Sequence, residues 1–365
     1  MKLPKVAFFT VMPSPYQRDL FEALAKENEI KLTIYYQQPG AQDSPWKRAE
    51  LNSYERLLSG RGVEFLNVRL QFNRGLPAAD EADLWVINGS LTSPSAQWMM
   101  RRNPGNSRWI FWGEQIRPTS NLLKQRLQRF LSWPLAQASG IAAVGSRAAR
   151  DYALRFPGQR IWNMPYHCDL HPYQALDQRR ASDANVTFFF CGQMIRRKGI
   201  DILLEAFTQL CQGNTLARLL LAGRPGELPA LLETLPAPVR NRIEYAGFKE
   251  PHELPEYFAR ADVFVLSSRY DGWGVVINQA LGAGLPIICS EAAGASQDLV
   301  DSGKNGLRVP AGKAALLFDA MKKLADDPLL RGEMGNYSLE KSREWTAEAG
   351  AKKWLKLVGE TLASG

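Results

Sequence analysis

Short apolar runs alternate along this chain with longer stretches whose apolar positions recur every three or four residues. The runs predict strands at Val6–Val11, Lys31–Gln37, Val63–Val68, Asp83–Asn88, Trp109–Trp112, Gly140–Val144 and Ile161–Met164. A second set falls at Val186–Cys191, Arg218–Ala222, Arg242–Tyr245, Asp262–Leu266, Pro286–Cys289 and Leu307–Val309. Strand, helix, strand is the rhythm of parallel sheets. Several runs are apolar without alternation, as expected of strands covered by helices on both faces. Between the sets lies an irregular polar stretch from His171 to Ala184, read as a linker. The pattern therefore predicts an α/β protein of two facing Rossmann-like domains with a cleft between them, residues 1–172 and 173–345.

The chemistry concentrates in the second half. The strand ending at Leu266 runs into Ser267-Ser268-Arg269-Tyr270-Asp271-Gly272-Trp273-Gly274-Val275, after which a helix begins near Val275 and stops at Gly284-Leu285-Pro286. Glycine lets backbone approach a ligand closely, and a helix N-terminus presents N–H groups and partial positive charge. Such a turn suits a phosphate, while Asp271 can accept hydrogen bonds from sugar hydroxyls. About eighty residues earlier the strand ending at Cys191 leads into Gly192-Gln193-Met194-Ile195-Arg196-Arg197-Lys198-Gly199, a second glycine and cation turn before a helix. Alone it reads as a solvated basic turn. Together with the Asp271 loop it reads as the other half of an anion site. Charge-assisted contacts to phosphate contribute about 1.5–3 kcal/mol each, so two lost cations should weaken binding by orders of magnitude.

These two segments resemble glycosyltransferase family 4, in which an acid opens a glycine-rich turn and a second acid follows eight positions later. The resemblance implies the GT-B architecture, a retaining enzyme, and a nucleoside-diphosphate sugar as donor. Asp271 falls on the first acid position, which contacts the donor sugar, and Gln279 on the second, which contacts ribose. Lys198 falls on the family's diphosphate lysine; Gln193 occupies its usual arginine position, with Arg196 or Arg197 as substitutes. Backbone at Gly192, Gly272, Trp273, Gly274 and Val275 would line phosphate and sugar, and Phe248 and Lys249 would face the base. The last helix, residues 346–365, would cross back to pack on the first domain.

The first half is less specific. Met12-Pro13-Ser14-Pro15-Tyr16-Gln17-Arg18 stands where the family usually has a glycine-rich loop, and its prolines predict a stiff one. Arg18 is available to a phosphate or to a surface carboxylate. A histidine common in the family has no counterpart, because no histidine precedes His167. Glu114, at a strand end, is the candidate contact to a sugar or acceptor hydroxyl. In Leu122–Trp133 the leucines and Phe130 form one helical side and basic residues another, which reads as a core-facing stripe whose basic back can touch lipid headgroups.

Composition adds one asymmetry. Residues 1–170 hold 22 Lys+Arg against 14 Asp+Glu, whereas residues 171–365 hold 23 of each. The excess implies an anionic partner for the first domain. The four scattered cysteines read as reduced core residues of a cytoplasmic protein, and no leader, membrane span, metal-ligand spacing or cofactor motif is expected. No Asp-x-Asp occurs, which speaks for metal-independent handling of the diphosphate, and no basic motif interleaved with aromatics points to nucleic acid. The expected activity is transfer of a hexose-type sugar to a glycan or lipid-linked acceptor in cell-surface polysaccharide or lipopolysaccharide synthesis, with peripheral contact to an anionic membrane. A sugar-nucleotide epimerase of the same architecture and a non-catalytic sugar-nucleotide or glycan-binding protein are the alternatives.

Overall fold

The computed structural model describes residues 2–40, 50–65, 68–102, 108–176, 185–213 and 216–363. Fifteen strands are present among them. In chain order they are β1 Lys5–Thr10, β2 Lys31–Tyr36, β3 Glu55–Leu57, β4 Gly60–Phe65, β5 Val68–Asn73, β6 Leu84–Asn88, β7 Arg108–Gly113, β8 Gly140–Ala143, β9 Ile161–Asn163, β10 Thr187–Cys191, β11 Arg218–Ala222, β12 Ile243–Tyr245, β13 Val263–Leu266, β14 Ile287–Ser290 and β15 Gly306–Val309. The chain forms two units, one of residues 1–167 with 347–365, the other of residues 168–346.

The first unit is built on a parallel sheet in the order β3-β2-β1-β6-β7-β8-β9. The second has a parallel sheet in the order β12-β11-β10-β13-β14-β15. Taken in sequence order within that unit, this is 3-2-1-4-5-6, the doubly wound Rossmann order. Each sheet therefore reverses its winding once, between β1 and β6 in one unit and between β10 and β13 in the other. Loops leaving the carboxyl ends of those paired strands diverge and leave a crevice, which is where such folds bind ligands.

Phe8 and Phe9 illustrate why these strands are apolar on both sides. Phe8 packs against Phe21 of the Pro15–Glu27 helix and Trp354 of the Ala347–Ala363 helix, with ring centroids 5.0 and 5.2 Å away. Phe9 points to the opposite face, into a cluster with Trp85, Phe111 and Tyr152. Burying such side chains contributes roughly 1.5–3 kcal/mol each.

Three expectations are corrected. Residues Val63–Val68, expected as one strand, belong to the antiparallel β4–β5 hairpin, in which Val63 pairs with Leu70; positions 66 and 67 lie outside the described residues. The apolar side of Leu122–Trp133, expected to face the core, points outward: in the Leu122–Ser132 helix only Ser132 is buried. Arg18 meets a carboxylate, as one of its two readings has it, but not a surface one. It pairs with Glu55, whose side chain has no exposed surface. The linker expected at 171–184 is described only to residue 176, where it forms a short His171–Gln174 helix.

His167 closes the first unit where the chain leaves it. Its Nδ1–H donates to the Pro165 carbonyl (3.0 Å) and its Nε2 accepts from Lys353 (3.2 Å), which fixes the neutral tautomer. Burial first, and the Lys353 charge second, lower its pKa to about 4. The unfolded chain, with an ordinary histidine, then binds more protons between pH 6.5 and 4, so stability falls as pH falls through that window, by about 3 kcal/mol in total. Thermal melts from pH 7 to pH 4 should show this loss, and His167→Gln should remove that part of the slope.

Candidate functional site

The Gly192–Gly199 and Ser267–Val275 loops leave β10 and β13, the strands flanking the reversal in the second sheet. Gly199 holds them together. It has φ +71°, and a Cβ there would sit 2.1 Å from the Ser267 carbonyl oxygen, so only glycine allows the approach. Arg269, not singled out in the sequence, fastens the same junction. Its guanidinium clasps both oxygens of Asp201 (2.6 and 2.7 Å) and donates to the Arg196 carbonyl. A fork of donors matching a carboxylate is rigid as well as strong. The signal was an arginine inside the Ser267–Val275 motif and an acid in the first turn of the helix that follows the earlier Gly192–Gly199 loop.

The junction brings Lys198 and Asp271 into an ion pair, each side chain largely buried. Arg197 lies beside them, its guanidinium donating to the Tyr270 carbonyl at 3.1 Å. Arg196 is exposed, and its backbone N–H is held by Glu227 at 2.8 Å. Of the two arginines, Arg197 is therefore the one directed at the Asp271 turn. Gln193 is exposed.

The Asp271 turn is braced by backbone. Its N–H donates to the Ala292 carbonyl, and the Gly294 N–H donates to its carbonyl. Gly274, at φ +92°, redirects the chain so that a helix starts at Val276, following Gly272 and Val275, both of which are partly exposed. Trp273 differs from its neighbours. Its indole is buried, donates to Asn278 Oδ1 at 2.9 Å and stacks on Trp345, so only its backbone can meet a ligand. Gln279, in the helix, holds a buried side-chain oxygen with no hydrogen-bond partner. An orphaned acceptor costs about 1–3 kcal/mol unless a donor arrives. Phe248 and Lys249 follow β12 on the same sheet edge; Phe248 is half-buried, and the Lys249 ammonium lies 4.9 Å from the Tyr257 ring centroid.

In the first unit, the ends of β1, β6 and β7 share a buried polar cluster. Asn88 accepts from Thr10 (2.9 Å) and Gln17 (3.0 Å) and donates to the Trp112 carbonyl (2.9 Å). Glu114 is exposed at the end of β7, with its carbonyl held by Tyr152 OH at 2.7 Å. Tyr166 was not foreseen. It packs between Tyr16 and Trp112, with centroids 5.0 and 5.3 Å away, and hydrogen-bonds Asn88 and Glu114. Burial first, then the Glu114 charge, raises its hydroxyl pKa well above the ordinary value, so it stays a proton donor toward the Glu114 carboxylate. Its position after β9 carries no local signal, because only the fold brings that loop to β7. Among the described residues no group of three His, Cys, Asp or Glu side chains is arranged to hold a metal ion. No helix among them is long and apolar enough to cross a membrane.

Residues 185–327, which contain both loops, match the family model described as glycosyl transferases group 1. Among curated relatives, alpha-D-kanosaminyltransferase of Streptomyces kanamyceticus is 27% identical over 240 residues, 62% of this chain and 60% of that protein. D-inositol 3-phosphate glycosyltransferase of an Arthrobacter species is 32% identical over 161 residues, 40% of this chain and 36% of that protein. The matches thus span between 36% and 60% of these relatives' lengths. Among solved structures, sucrose-phosphate synthase of Thermosynechococcus elongatus has a TM-score of 0.76 at 20% identity, covering 99% of this chain and all of that one. The Anabaena protein HepE, solved with UDP and glucose, has a TM-score of 0.72 at 15% identity, covering 98% of this chain and all of that one. The fold is that of the GT-B glycosyltransferases, two Rossmann-like domains with parallel sheets.

Proposed function

We propose that this chain, which carries a glycosyl transferases group 1 domain over residues 185–327, is a retaining glycosyltransferase that moves a hexose-type sugar from a nucleoside-diphosphate sugar to a glycan or lipid-linked acceptor. The observation that carries the reading is the Lys198, Arg197 and Asp271 constellation at the β10/β13 reversal. Two cations and an acid on one crevice match a ligand that is diphosphate at one end and sugar at the other. The Anabaena neighbour solved with UDP and glucose supports the same class of donor.

In this reading Lys198 and Arg197 bind the diphosphate and meet the negative charge that grows on it as its bond to the sugar's anomeric carbon breaks. Asp271 accepts from the sugar's hydroxyls and orients the ring. The acceptor hydroxyl forms the new bond on the face the diphosphate leaves, and the departing phosphate takes its proton, so no histidine base is required. Glu114, held by Tyr166, is assigned to a hydroxyl of the acceptor or the sugar. The unpartnered Gln279 oxygen suits a ribose hydroxyl donor.

Gln279→Leu separates that assignment from a structural one. It removes an orphaned acceptor from the free protein, so Tm should hold or rise, while donor affinity should fall about tenfold. Loss of stability with unchanged affinity would refute it. The activity itself is tested by nucleoside-diphosphate release from UDP-, GDP- and dTDP-sugars, with and without a membrane lipid extract. Release from one donor, stimulated by extract, is expected. Tight binding without release would point to an epimerase or a binding protein, and no binding would remove the donor site.

A further inference from the structure

The Leu122–Ser132 helix is amphipathic the wrong way round for a core element. At about 100° per residue, Leu123, Leu127 and Phe130 fall within an arc of roughly 60°. Gln125, Gln128 and Ser132 fall within a similar arc on the opposite side. The glutamine side faces the protein: Gln125 donates to the Thr119 carbonyl (2.7 Å) and Gln128 to the Arg117 carbonyl (2.8 Å), while Gln97 of the neighbouring Pro94–Arg101 helix donates to Leu131 (2.9 Å). The leucine side faces out. Leu123 is 75% exposed and Phe130 65%, and Leu122, Leu127 and Trp133 are each more than half exposed. A contiguous apolar patch of this kind marks an interaction surface.

The rim identifies the partner. Lys124, Arg126 and Arg129 lie on the same helix, Arg101 sits over the Phe130 ring at 5.2 Å, and no acidic residue occurs between Glu114 and Asp151. Leucines with phenylalanine and tryptophan at the centre and cations around them match a bilayer interface with anionic headgroups. A second copy fits poorly, because a two-fold contact through this helix would set cation against cation.

We propose that the outward face of the Leu122–Ser132 helix inserts into the headgroup region of an anionic lipid surface, with Leu123, Leu127, Phe130 and Trp133 entering the acyl boundary and Lys124, Arg126 and Arg129 contacting phosphate. The helix begins eight residues after Glu114, and its glutamines hold the intervening loop. Docking therefore brings the carboxyl edge of β7 to the lipid. This deepens the reading above by stating where a lipid-linked acceptor would be met, and it rests on that reading for the acceptor alone.

The test is co-sedimentation of the full chain with vesicles of phosphatidylglycerol and phosphatidylcholine, against phosphatidylcholine alone, without donor. Binding to the anionic vesicles that weakens with salt is expected. Lys124→Gln/Arg126→Gln/Arg129→Gln should reduce it roughly 100-fold, at about a tenfold loss for every one or two cations. Leu123→Glu/Phe130→Glu should reduce it more than tenfold with Tm unchanged, since both side chains already lie in solvent. Failure to bind either vesicle, or binding that both variants retain, overturns the proposal. So does a concentration-dependent dimer, seen by analytical ultracentrifugation, that Leu123→Glu/Phe130→Glu dissociates. Because donor and lipid are measured separately, loss of vesicle binding leaves nucleoside-diphosphate release on soluble acceptors intact, and the converse failure leaves vesicle binding intact.

Discussion

Lys198→Met is expected to lower nucleoside-diphosphate release about 100- to 1000-fold, with most of the loss in kcat. A preorganised cation aimed at charge developing on a leaving group contributes on this scale. The structure adds a second contribution. Lys198 is paired with Asp271 in a largely buried setting, so removing the ammonium leaves an unneutralised carboxylate beside the position assigned to the diphosphate. Two negative groups then face each other in low dielectric. Asp271→Asn in the Lys198→Met background should therefore recover part of the donor affinity although it removes a second site residue. Fluorescence titration with a nucleoside diphosphate, measured for both single variants and the double variant, gives the coupling. Strict additivity would mean that the pair does not act as a unit.

The loops that build this constellation were legible because each follows an apolar strand and contains glycine, cation and acid in a fixed order. Their meeting was not. That Gly199 touches Ser267, and that Arg269 reaches back to Asp201, follows from β10 and β13 being neighbours, which depends on strand order. Tyr166 was illegible for the same reason. The Leu122–Trp133 stripe shows another limit. Periodicity places residues on a helix side, but the direction that side faces is decided by what the other side bonds to, here glutamines capping loop carbonyls. β3, only three residues long and with Glu55 and Arg56 ahead of its single apolar residue Leu57, carried no apolar run.

Arg18→Met is the second large effect, and it concerns stability. Glu55 accepts from Arg18 Nε (3.0 Å) and Nη2 (2.9 Å), from Tyr36 OH (2.6 Å) and from the Asn52 N–H (2.7 Å). Burial alone would raise the Glu55 pKa, yet the hydrogen bonds from Arg18 and Tyr36 outweigh it and hold the carboxylate below its ordinary value. Removing one partner of a buried pair typically costs 3–5 kcal/mol, which in a unit of this size lowers Tm by roughly 10 °C. In the wild type, a depressed carboxylate pKa means that this stabilisation is present above the ordinary carboxylate range and is lost as pH falls through the lower folded value. In Arg18→Met the orphaned Glu55 is easily protonated. The Tm gap between the two proteins should therefore narrow on acidification, and Arg18→Met/Glu55→Gln should melt higher than Arg18→Met. A gap that is constant with pH would show that the cost comes from lost packing instead.

The helix over Ala347–Ala363 supplies Trp354, which is fully buried against Phe8 and Trp112 of a unit otherwise made of residues 1–167. The second unit is one unbroken segment between two crossings, where Cys168 and Thr346 are bridged. During synthesis, residues 168–346 can finish folding while the first unit still lacks an indole at the middle of its core. The unit begun before the other is thus completed after it, and until the Ala347–Ala363 helix emerges from the ribosome the face around Phe8 stands open to chaperones and to aggregation.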